Sequence, residues 1–117
     1  MAGRELILRR ADGTVVCGRC TLADRPLARL RGLLGREGLD SGEGLLLRPA
    51  SSVHTFFMRF PIDVVFLDRA LVVLGIADGV DPWRAASRRG AKAVLELPAG
   101  ESSRRGLAVG DQLSFAQ

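Results

Sequence analysis

The β character of this chain is clearest at residues 51–68, SSVHTFFMRFPIDVVFLD. Aromatic and β-branched side chains, which favour strands, dominate this passage, and a proline divides it in two. Strands are therefore predicted at 53–58 and 64–67. Neighbouring apolar residues such as Val64 and Val65 place apolar groups on both faces of one strand, so we expect both faces to be covered by other elements.

Short apolar segments of the same kind recur along the rest of the chain, separated by Gly, Pro and Asp. The dipeptide Asp12-Gly13 predicts a tight hairpin turn between the first two of them. The fold class predicted from this pattern is mainly β, a compact distorted barrel or two-layer sandwich of about seven short strands. The further strands are predicted at 6–9, 14–17, 45–48, 71–76, 93–97 and 113–115.

One α-helix is expected, near residues 25–34. Asp24 is a suitable N-cap for it, and leucines recur there at helical spacing to form a face for the core. Residues 77–90 contain Asp-Gly and Asp-Pro pairs and predict a long surface loop, with Trp83 as its anchor. The side chains expected in the core include Phe56, Phe57, Val65, Phe66, Leu74 and Leu95.

The length and composition predict one domain over residues 1–117. Hydrophobic residues make up 47% and charged residues 26% of the chain, as in ordinary globular proteins. Its apolar runs are far shorter than the roughly 20 residues of a membrane-spanning helix, and charges occupy the place of a signal peptide's apolar stretch. The only cysteines, Cys17 and Cys20, are close in sequence. We expect a soluble, cytoplasmic, disulfide-free monomer.

The net charge of +4 is concentrated in one segment. Residues 82–105 hold six basic side chains against two acidic ones, which suits nucleic acid or another anionic surface. A β-sheet that binds nucleic acid needs exposed aromatic rings for base stacking. The chain has no Tyr, one Trp and five Phe, most of them in apolar strands, so this supply is thin. Nucleic acid is therefore not the favoured partner.

Cys17 and Cys20 have the spacing of dithiol redox motifs and of half a zinc site. A structural zinc site needs two further ligands, but the chain holds a single His and no third Cys. A thioredoxin-like βαβ context is also lacking. The simpler interpretation is two small buried thiols.

His54, the only histidine, lies nine residues before Asp63. On a strand at 53–58, His54 shares a face with Met58, and the bend that follows brings Asp63 back beside the strand. Such a pair suits acid–base catalysis or metal binding. In the structural alternative, His54 donates to a backbone carbonyl and Asp63 caps backbone N–H groups at the turn.

Two further charged residues belong to the same question. Glu96 stands between two leucines and most simply points to solvent, although a Glu facing His54 would complete a His/carboxylate cluster. Arg31, inside the predicted helix, is a candidate partner for one of these carboxylates. No nucleophile elbow, Walker A loop, zinc-protease motif or dinucleotide fingerprint occurs, so neither a cofactor nor a bound metal is expected.

Four stretches of the chain resemble the DUF192 family, also called UPF0127, a domain of unknown function. They are RLRGLLGREGLDSGEGLLLRP, SVHTFFMRFPIDVVFLD, AVLELPAG and GLAVGDQLSF, within residues 21–115. The resemblance implies a small, mainly β barrel or sandwich with one helix, of bacterial and archaeal occurrence and without an established activity. The positions that match the family's motifs are Arg31, Gly32, Leu33, Arg36, His54, Met58, Ile62, Asp63, Glu96, Pro98, Gly100, Gly110 and Asp111.

These patterns favour a non-catalytic module that binds a small ligand or another protein around His54, Asp63 and the Trp83 loop. One alternative is a small hydrolase or isomerase in which His54 is the base, Asp63 orients it and Glu96 is a further candidate. A second alternative is weak binding of nucleic acid or an anionic surface through residues 82–105. The candidate binding residues are Arg31, Arg36, His54, Met58, Asp63, Trp83 and Glu96.

Overall fold

A computed structural model describes residues 4–24 and 36–116 of the chain. The mainly β prediction is confirmed, whereas the helix expected near 25–34 lies outside the described residues, as does Arg31. A four-residue helix, α1, spans Glu101–Arg104. The strands are β1 (Arg4–Arg10), β2 (Val15–Ala23), β3 (Glu43–Leu47), β4 (Ser52–His54), β5 (Ile62–Leu67), β6 (Val73–Val80), β7 (Ala85–Ser87), β8 (Ala93–Pro98) and β9 (Leu113–Ala116).

The described strands form one large sheet and one small one. Seven strands pair in the order β6-β5-β8-β3-β2-β1-β9, while β4 and β7 pair separately. The β2–β3 pair is parallel and the other pairs are antiparallel. The large sheet does not close into a barrel, but its two edges meet at one corner, where an isolated bridge joins Val72 to Gln112. The sheet is therefore open and strongly curved.

Both faces of the central strands are covered, as the paired apolar residues predicted. Every residue of β5 and of β8 is buried. Along β8, Leu95 belongs to one hydrophobic cluster and Val94 to a second, which lies on the opposite face of the sheet. The core positions predicted at Val65, Phe66 and Leu95 are confirmed.

The prediction fails at Phe56 and Phe57, which are 38% and 70% exposed. Strand β4 ends at His54, and the chain then turns, with Met58 N–H donating to the Thr55 carbonyl. Phe57 has a φ of 67°, which breaks the alternation of a strand. The prediction of a continuous strand over 53–58 is therefore wrong.

The long loop predicted at 77–90 is wrong for half of its length, since seven of its fourteen residues lie in β6 and β7. Strand β6 continues to Val80, and β7 pairs with β4 through Ser52 and Ser87 at one end and His54 and Ala85 at the other. The short connections at 81–84, around Trp83, and at 88–90 remain outside the strands. The turn residues in this segment predict a loop, and they give no indication that the three-residue strands β4 and β7 pair.

The hairpin at Asp12-Gly13 is confirmed, and a bulge follows it in β2. Leu6 pairs with Cys20 and Leu8 with Cys17, so one intervening residue on β1 faces two on β2. The bulge places both cysteines in the same hydrophobic cluster, where they are buried and free. Contact with the Cys17 sulfur, together with burial, raises the pKa of the Cys20 thiol.

Strand β3 passes the Cys17 thiol at Gly44, where a methyl group has no room. A Cβ at this position would lie 2.7 Å from Cys17 Sγ and 3.0 Å from the Glu96 carbonyl oxygen. We expect Gly44→Ala to lower the free energy of unfolding by about 1–3 kcal/mol, measured by urea titration. Gly38→Ala is the control, because nothing lies within 4 Å of its Cβ position. Equal losses in the two variants would contradict the close approach of β2 and β3.

Candidate binding surface

Asp63, at the beginning of β5, is fully buried and surrounded by donors. Its carboxylate accepts hydrogen bonds from the N–H groups of Gly79 (2.8 Å), Gly100 (3.1 Å) and Ser102 (3.0 Å). The Ser102 hydroxyl adds a fourth at 2.6 Å. Burial opposes ionisation, but these bonds outweigh it and hold the pKa of Asp63 below its ordinary value. The structural alternative for Asp63 is thus confirmed, since its carboxylate binds backbone N–H groups.

His54 lies on the surface at the end of β4. Its ring stacks on Phe56 with a centroid distance of 4.8 Å. In the parts of the chain that the structure describes, no hydrogen bond or ion pair joins His54 to Asp63 or to Glu96. The acid–base pair of the catalytic alternative is therefore not formed. It depended on a strand that continued past His54, whereas both Asp63 oxygens are taken by donors from other elements.

Glu96 is buried in the middle of β8, so the prediction that it points to solvent is wrong. It pairs with Leu45 on one side and Val64 on the other, within the sheet that is covered on both faces. No group among residues 4–24 and 36–116 donates a hydrogen bond to its carboxyl. Burial raises the pKa of Glu96 to about 7, because the neutral carboxyl is less costly to bury.

Arg36 and Met58, two further candidates, lie in ordinary structural surroundings. Arg36 forms an exposed ion pair with Glu43 at 3.0 Å. The same carboxylate accepts the Asp40 N–H, and that bond together with Arg36 lowers the pKa of Glu43. Met58 is buried in the cluster on the Glu96 face of the sheet. Neither side chain supplies an accessible reactive group.

A group of four aromatic side chains forms the most distinctive surface of the described chain. Phe57 and Trp83 are 70% and 55% exposed, and Phe56 is partly exposed. The ring centroids are 4.8 Å apart for His54 and Phe56, and 5.7 Å apart for Phe56 and Trp83. Phe57 tilts against Trp83 at 4.6 Å. These spacings are those of favourable ring pairs. We call His54, Phe56, Phe57 and Trp83 the aromatic patch.

Thr55 holds the two halves of the aromatic patch together from beneath. This residue is fully buried. Its hydroxyl donates to the Asp81 carbonyl at 2.7 Å and accepts the Arg84 N–H at 2.8 Å. Its backbone carbonyl accepts the Trp83 N–H at 3.0 Å. One threonine therefore connects the turn that carries Phe56 to the turn that carries Trp83.

The backbone at two patch residues is in the left-handed region. Phe57 has a φ of 67° and Trp83 a φ of 66°, values that bulky residues rarely adopt. Such strain persists only where the surrounding contacts fix the conformation, and it is concentrated at functional sites. Residue types alone do not predict this left-handed backbone. The strand predicted over 53–58 therefore placed Phe56 and Phe57 in the core.

A groove adjoins the aromatic patch along the β4–β7 pair. It has a volume of about 440 Å³. That size is within the range of small-ligand sites, about 300–1,000 Å³. Small side chains form the floor of the groove, and aromatic side chains form one of its ends. Its lining residues are Ser52, Val53, His54, Phe56, Ala85, Ala86 and Ser87.

Two arginines lie at the ends of β7. Arg84 precedes the strand and Arg88 follows it, and both are exposed. The Arg88 guanidinium lies over Gly75 of β6, where a methyl group would come within 3.2 Å of it. Neither arginine forms an ion pair with another residue of the described chain. Neither arginine is among the residues that line the groove.

Comparison with known proteins identifies the family of this chain. The DUF192 model, described as "Uncharacterized ACR", matches residues 7–115. The chain belongs to the DUF192 family. A UPF0127 protein of Thermococcus sibiricus is 30% identical over 115 residues, which cover 94% of this chain and 74% of that protein. A UPF0127 protein of Pyrococcus abyssi is 30% identical over 105 residues, which cover 84% and 86%. The resemblance in the four sequence motifs is confirmed.

Two solved structures share the DUF192 fold. A Sinorhizobium meliloti 1021 protein, named as a proposed transcription regulator, superposes with a TM-score of 0.87 at 23% identity, over 98% of this chain and 96% of that one. A Novosphingobium aromaticivorans protein of unknown function gives 0.80 at 24% identity, over 94% and 83%. These identities establish a shared fold and no shared activity. Within the described residues, no helix is long and apolar enough to cross a membrane.

Asp63 is the carboxylate whose loss should most weaken this DUF192 fold. In Asp63→Asn, an amide NH₂ replaces one acceptor oxygen and faces N–H donors. We expect a loss of about 3 kcal/mol in the free energy of unfolding, measured by urea titration. Asp12→Asn, at an exposed turn where the carboxylate also accepts a backbone N–H, should lose no more than about 0.5 kcal/mol. Similar losses in the two variants would mean that the four donors do not act together.

Glu96 should make the stability of the domain depend on pH. The folded state keeps its proton up to about pH 7, whereas the unfolded chain releases it near the ordinary pKa of 4.5. Between these values the folded state binds more protons, so the free energy of unfolding falls as pH rises. The total decrease is on the order of 3 kcal/mol.

The comparison of Glu96→Gln with the parent chain isolates this effect. We expect urea titrations at pH 4.5, 6 and 7.5 to show that the variant loses the decrease, because its amide does not titrate. Glu37→Gln is the control, since the Glu37 side chain is 89% exposed. A pH dependence that is the same in all three proteins would contradict the burial of Glu96.

Proposed function

We propose that this domain is a non-catalytic binding module whose partner docks on the aromatic patch. The observation that carries the proposal is a contiguous set of exposed rings held by a fully buried threonine. Contiguous exposed apolar groups are uncommon on monomeric proteins and mark interaction surfaces. Trp and Phe are also among the residues enriched at such interfaces.

The patch is organised before any partner arrives. Thr55 joins its two turns, and the rings already contact one another at 4.6–5.7 Å. A partner that docks on an ordered surface loses less conformational entropy than one that must order flexible side chains. The left-handed backbone at Phe57 and Trp83 supports the same conclusion, since strain of this kind accompanies ligand-binding surfaces.

The placement of the ionisable side chains favours binding over catalysis. The Asp63 carboxylate is hydrogen-bonded to backbone N–H groups, and Glu96 is buried in the sheet. The His54 ring stacks on Phe56 within the patch. The hydrolase or isomerase alternative needs His54 and Asp63 together, and no contact between them favours it. A cytoplasmic location, where Cys17 and Cys20 stay reduced, and a monomeric state belong to the proposal.

A photo-crosslinking side chain placed in the patch tests this function. We expect p-benzoylphenylalanine at position 57, in the full chain expressed in its own host, to give one dominant conjugate under light. The same group at position 109 is the matched control, because Val109 is 65% exposed and outside the patch. Trp83→Ala in the position-57 variant should remove the conjugate and leave the urea midpoint unchanged.

Two results would overturn the proposed function. One is the absence of any conjugate at position 57. The other is the same set of conjugates at positions 57 and 109, which would show only that exposed apolar groups are reactive. A conjugate between two copies of the chain would identify the partner as a second protomer and overturn the monomeric state.

A further inference from the structure

We infer that Cys17 and Cys20 form a redox-active dithiol, which a hydroperoxide oxidises to a disulfide within strand β2. This inference goes beyond the proposed function, because both cysteines belong to a hydrophobic cluster of the large sheet and not to the aromatic patch. Two observations carry it. The bulge in β2 brings the two residues within the span of a disulfide, and their thiols already contact each other.

The bulge shortens the distance between the two cysteines. In a regular strand, residues three positions apart point to opposite faces and are about 10 Å apart. Here Leu6 pairs with Cys20 and Leu8 with Cys17. The two cysteines therefore span the length of two residues of β1, about 6.6 Å at about 3.3 Å per residue. Since the Cα atoms of disulfide-bonded cysteines are usually about 4.4–6.8 Å apart, the bond needs little movement of the backbone.

The thiols point into the same cluster and interact directly. The Cys20 thiol donates a hydrogen bond to the Cys17 sulfur, which lowers the pKa of Cys17 although burial opposes the thiolate. The Arg19 N–H and the Arg105 guanidinium act in the same direction, and Glu101 acts against it. The same bond, together with burial, raises the pKa of Cys20. Cys17 is therefore the nucleophile and Cys20 the resolving thiol.

The surroundings of Cys17 leave Cys20 as its only reaction partner within the chain. The Cys17 thiol donates to the Gly42 carbonyl at 3.5 Å. The sulfur also lies so close to Gly44 that a Cβ there would be 2.7 Å away from it. Because the chain contains no third cysteine, no other thiol competes for an oxidised Cys17.

The oxidation takes two steps, in which the two thiols lose two electrons and two protons. The Cys17 thiolate attacks one oxygen of hydrogen peroxide, so an S–O bond forms and the O–O bond breaks. The leaving hydroxide takes up a proton and becomes water. The Cys20 sulfur then attacks the sulfur of the Cys17 sulfenic acid, and the S–S bond forms as the S–O bond breaks. The hydroxide that leaves takes the Cys20 proton, so one peroxide yields two waters.

Both thiols are buried, so the oxidant enters when the strand opens locally at the bulge. Gly18 is half-buried and Arg19 is exposed, so only the backbone of the bulge separates Cys17 from solvent on this side. A bulge interrupts the hydrogen bonds of the ladder, and such places open at a lower free energy than a regular strand. Hydrogen peroxide is little larger than water and needs only a small opening.

Hydrogen peroxide added to the full, reduced chain in native buffer tests the inference. We expect the intact mass to fall by two hydrogen atoms without formation of a dimer, and dithiothreitol to restore it. Cys17→Ser and Cys20→Ser are the matched controls, and neither should show this loss. Urea midpoints in reducing buffer confirm that each variant is folded, and Cys17→Ala and Cys20→Ala replace any serine variant that is not.

Trapping of the sulfenic acid with dimedone tests the two roles. We expect Cys20→Ser to give an adduct at Cys17, because the serine hydroxyl still donates to the Cys17 sulfur. Cys17→Ser should give its adduct at Cys20 roughly tenfold more slowly, since the Cys20 thiolate is disfavoured. Cys20→Ala removes the donor, so its adduct at Cys17 should also form more slowly than in Cys20→Ser.

Three results would overturn this inference. One is a folded chain whose mass does not change with peroxide, while the same chain unfolded in urea loses two hydrogen atoms. Another is a disulfide between two copies of the chain in place of the internal one. The third is equal rates of trapping in Cys17→Ser and Cys20→Ser, which would show that the fold does not distinguish the two thiols. The crosslinking experiment at position 57 is independent of all three.

Discussion

The buried carboxylate of Asp63 is the contact on which the rest of this fold depends. It joins the beginning of β5 to Gly79 near the end of β6 and to the first turn of α1. A charge removed from water is stable only with donors around it, and here four hydrogen-bonding groups supply that environment. Because Gly79 is held, the course of the chain towards Trp83 is set as well. The Gly79 N–H that binds Asp63 thus lies four residues before Trp83, which belongs to the surface proposed to bind a partner.

Hydrogen bonding, more than burial, separates the two enclosed carboxyl groups of the sheet. Asp63 has four donors and a lowered pKa, whereas Glu96 has no donor among the described residues and a pKa of about 7. The first is a fixed anion that organises loops, and the second titrates near neutral pH without leaving the core. Their similar settings in sequence, each beside apolar strand residues, give no sign of this difference.

The sequence predicts the parts of the fold that depend on local residue types. Strands at 64–67 and 93–97 follow from β-branched and leucine-rich segments, and the Asp63 cap follows from a carboxylate at a turn. Strand alternation gives the wrong positions for Phe56 and Phe57 because a left-handed residue interrupts it. Thr55 escapes notice because its partners are 26 and 29 residues away. The aromatic patch is thus a product of tertiary contacts, which a single sequence does not display.

The exposed rings are best explained by function, because stability alone favours a different arrangement. A regular strand over 53–58 would bury at least one phenylalanine and avoid the left-handed backbone at Phe57, and both changes are favourable. The chain instead ends β4 at His54 and uses the buried Thr55 to hold the rings outside. Natural proteins depart from local consistency mainly at functional sites, and two of the three non-glycine residues with a left-handed backbone in the described chain, Phe57 and Trp83, belong to the patch. Since Thr55 bonds to both turns, its loss should release Phe56 and Trp83 together and disrupt the surface proposed for a partner.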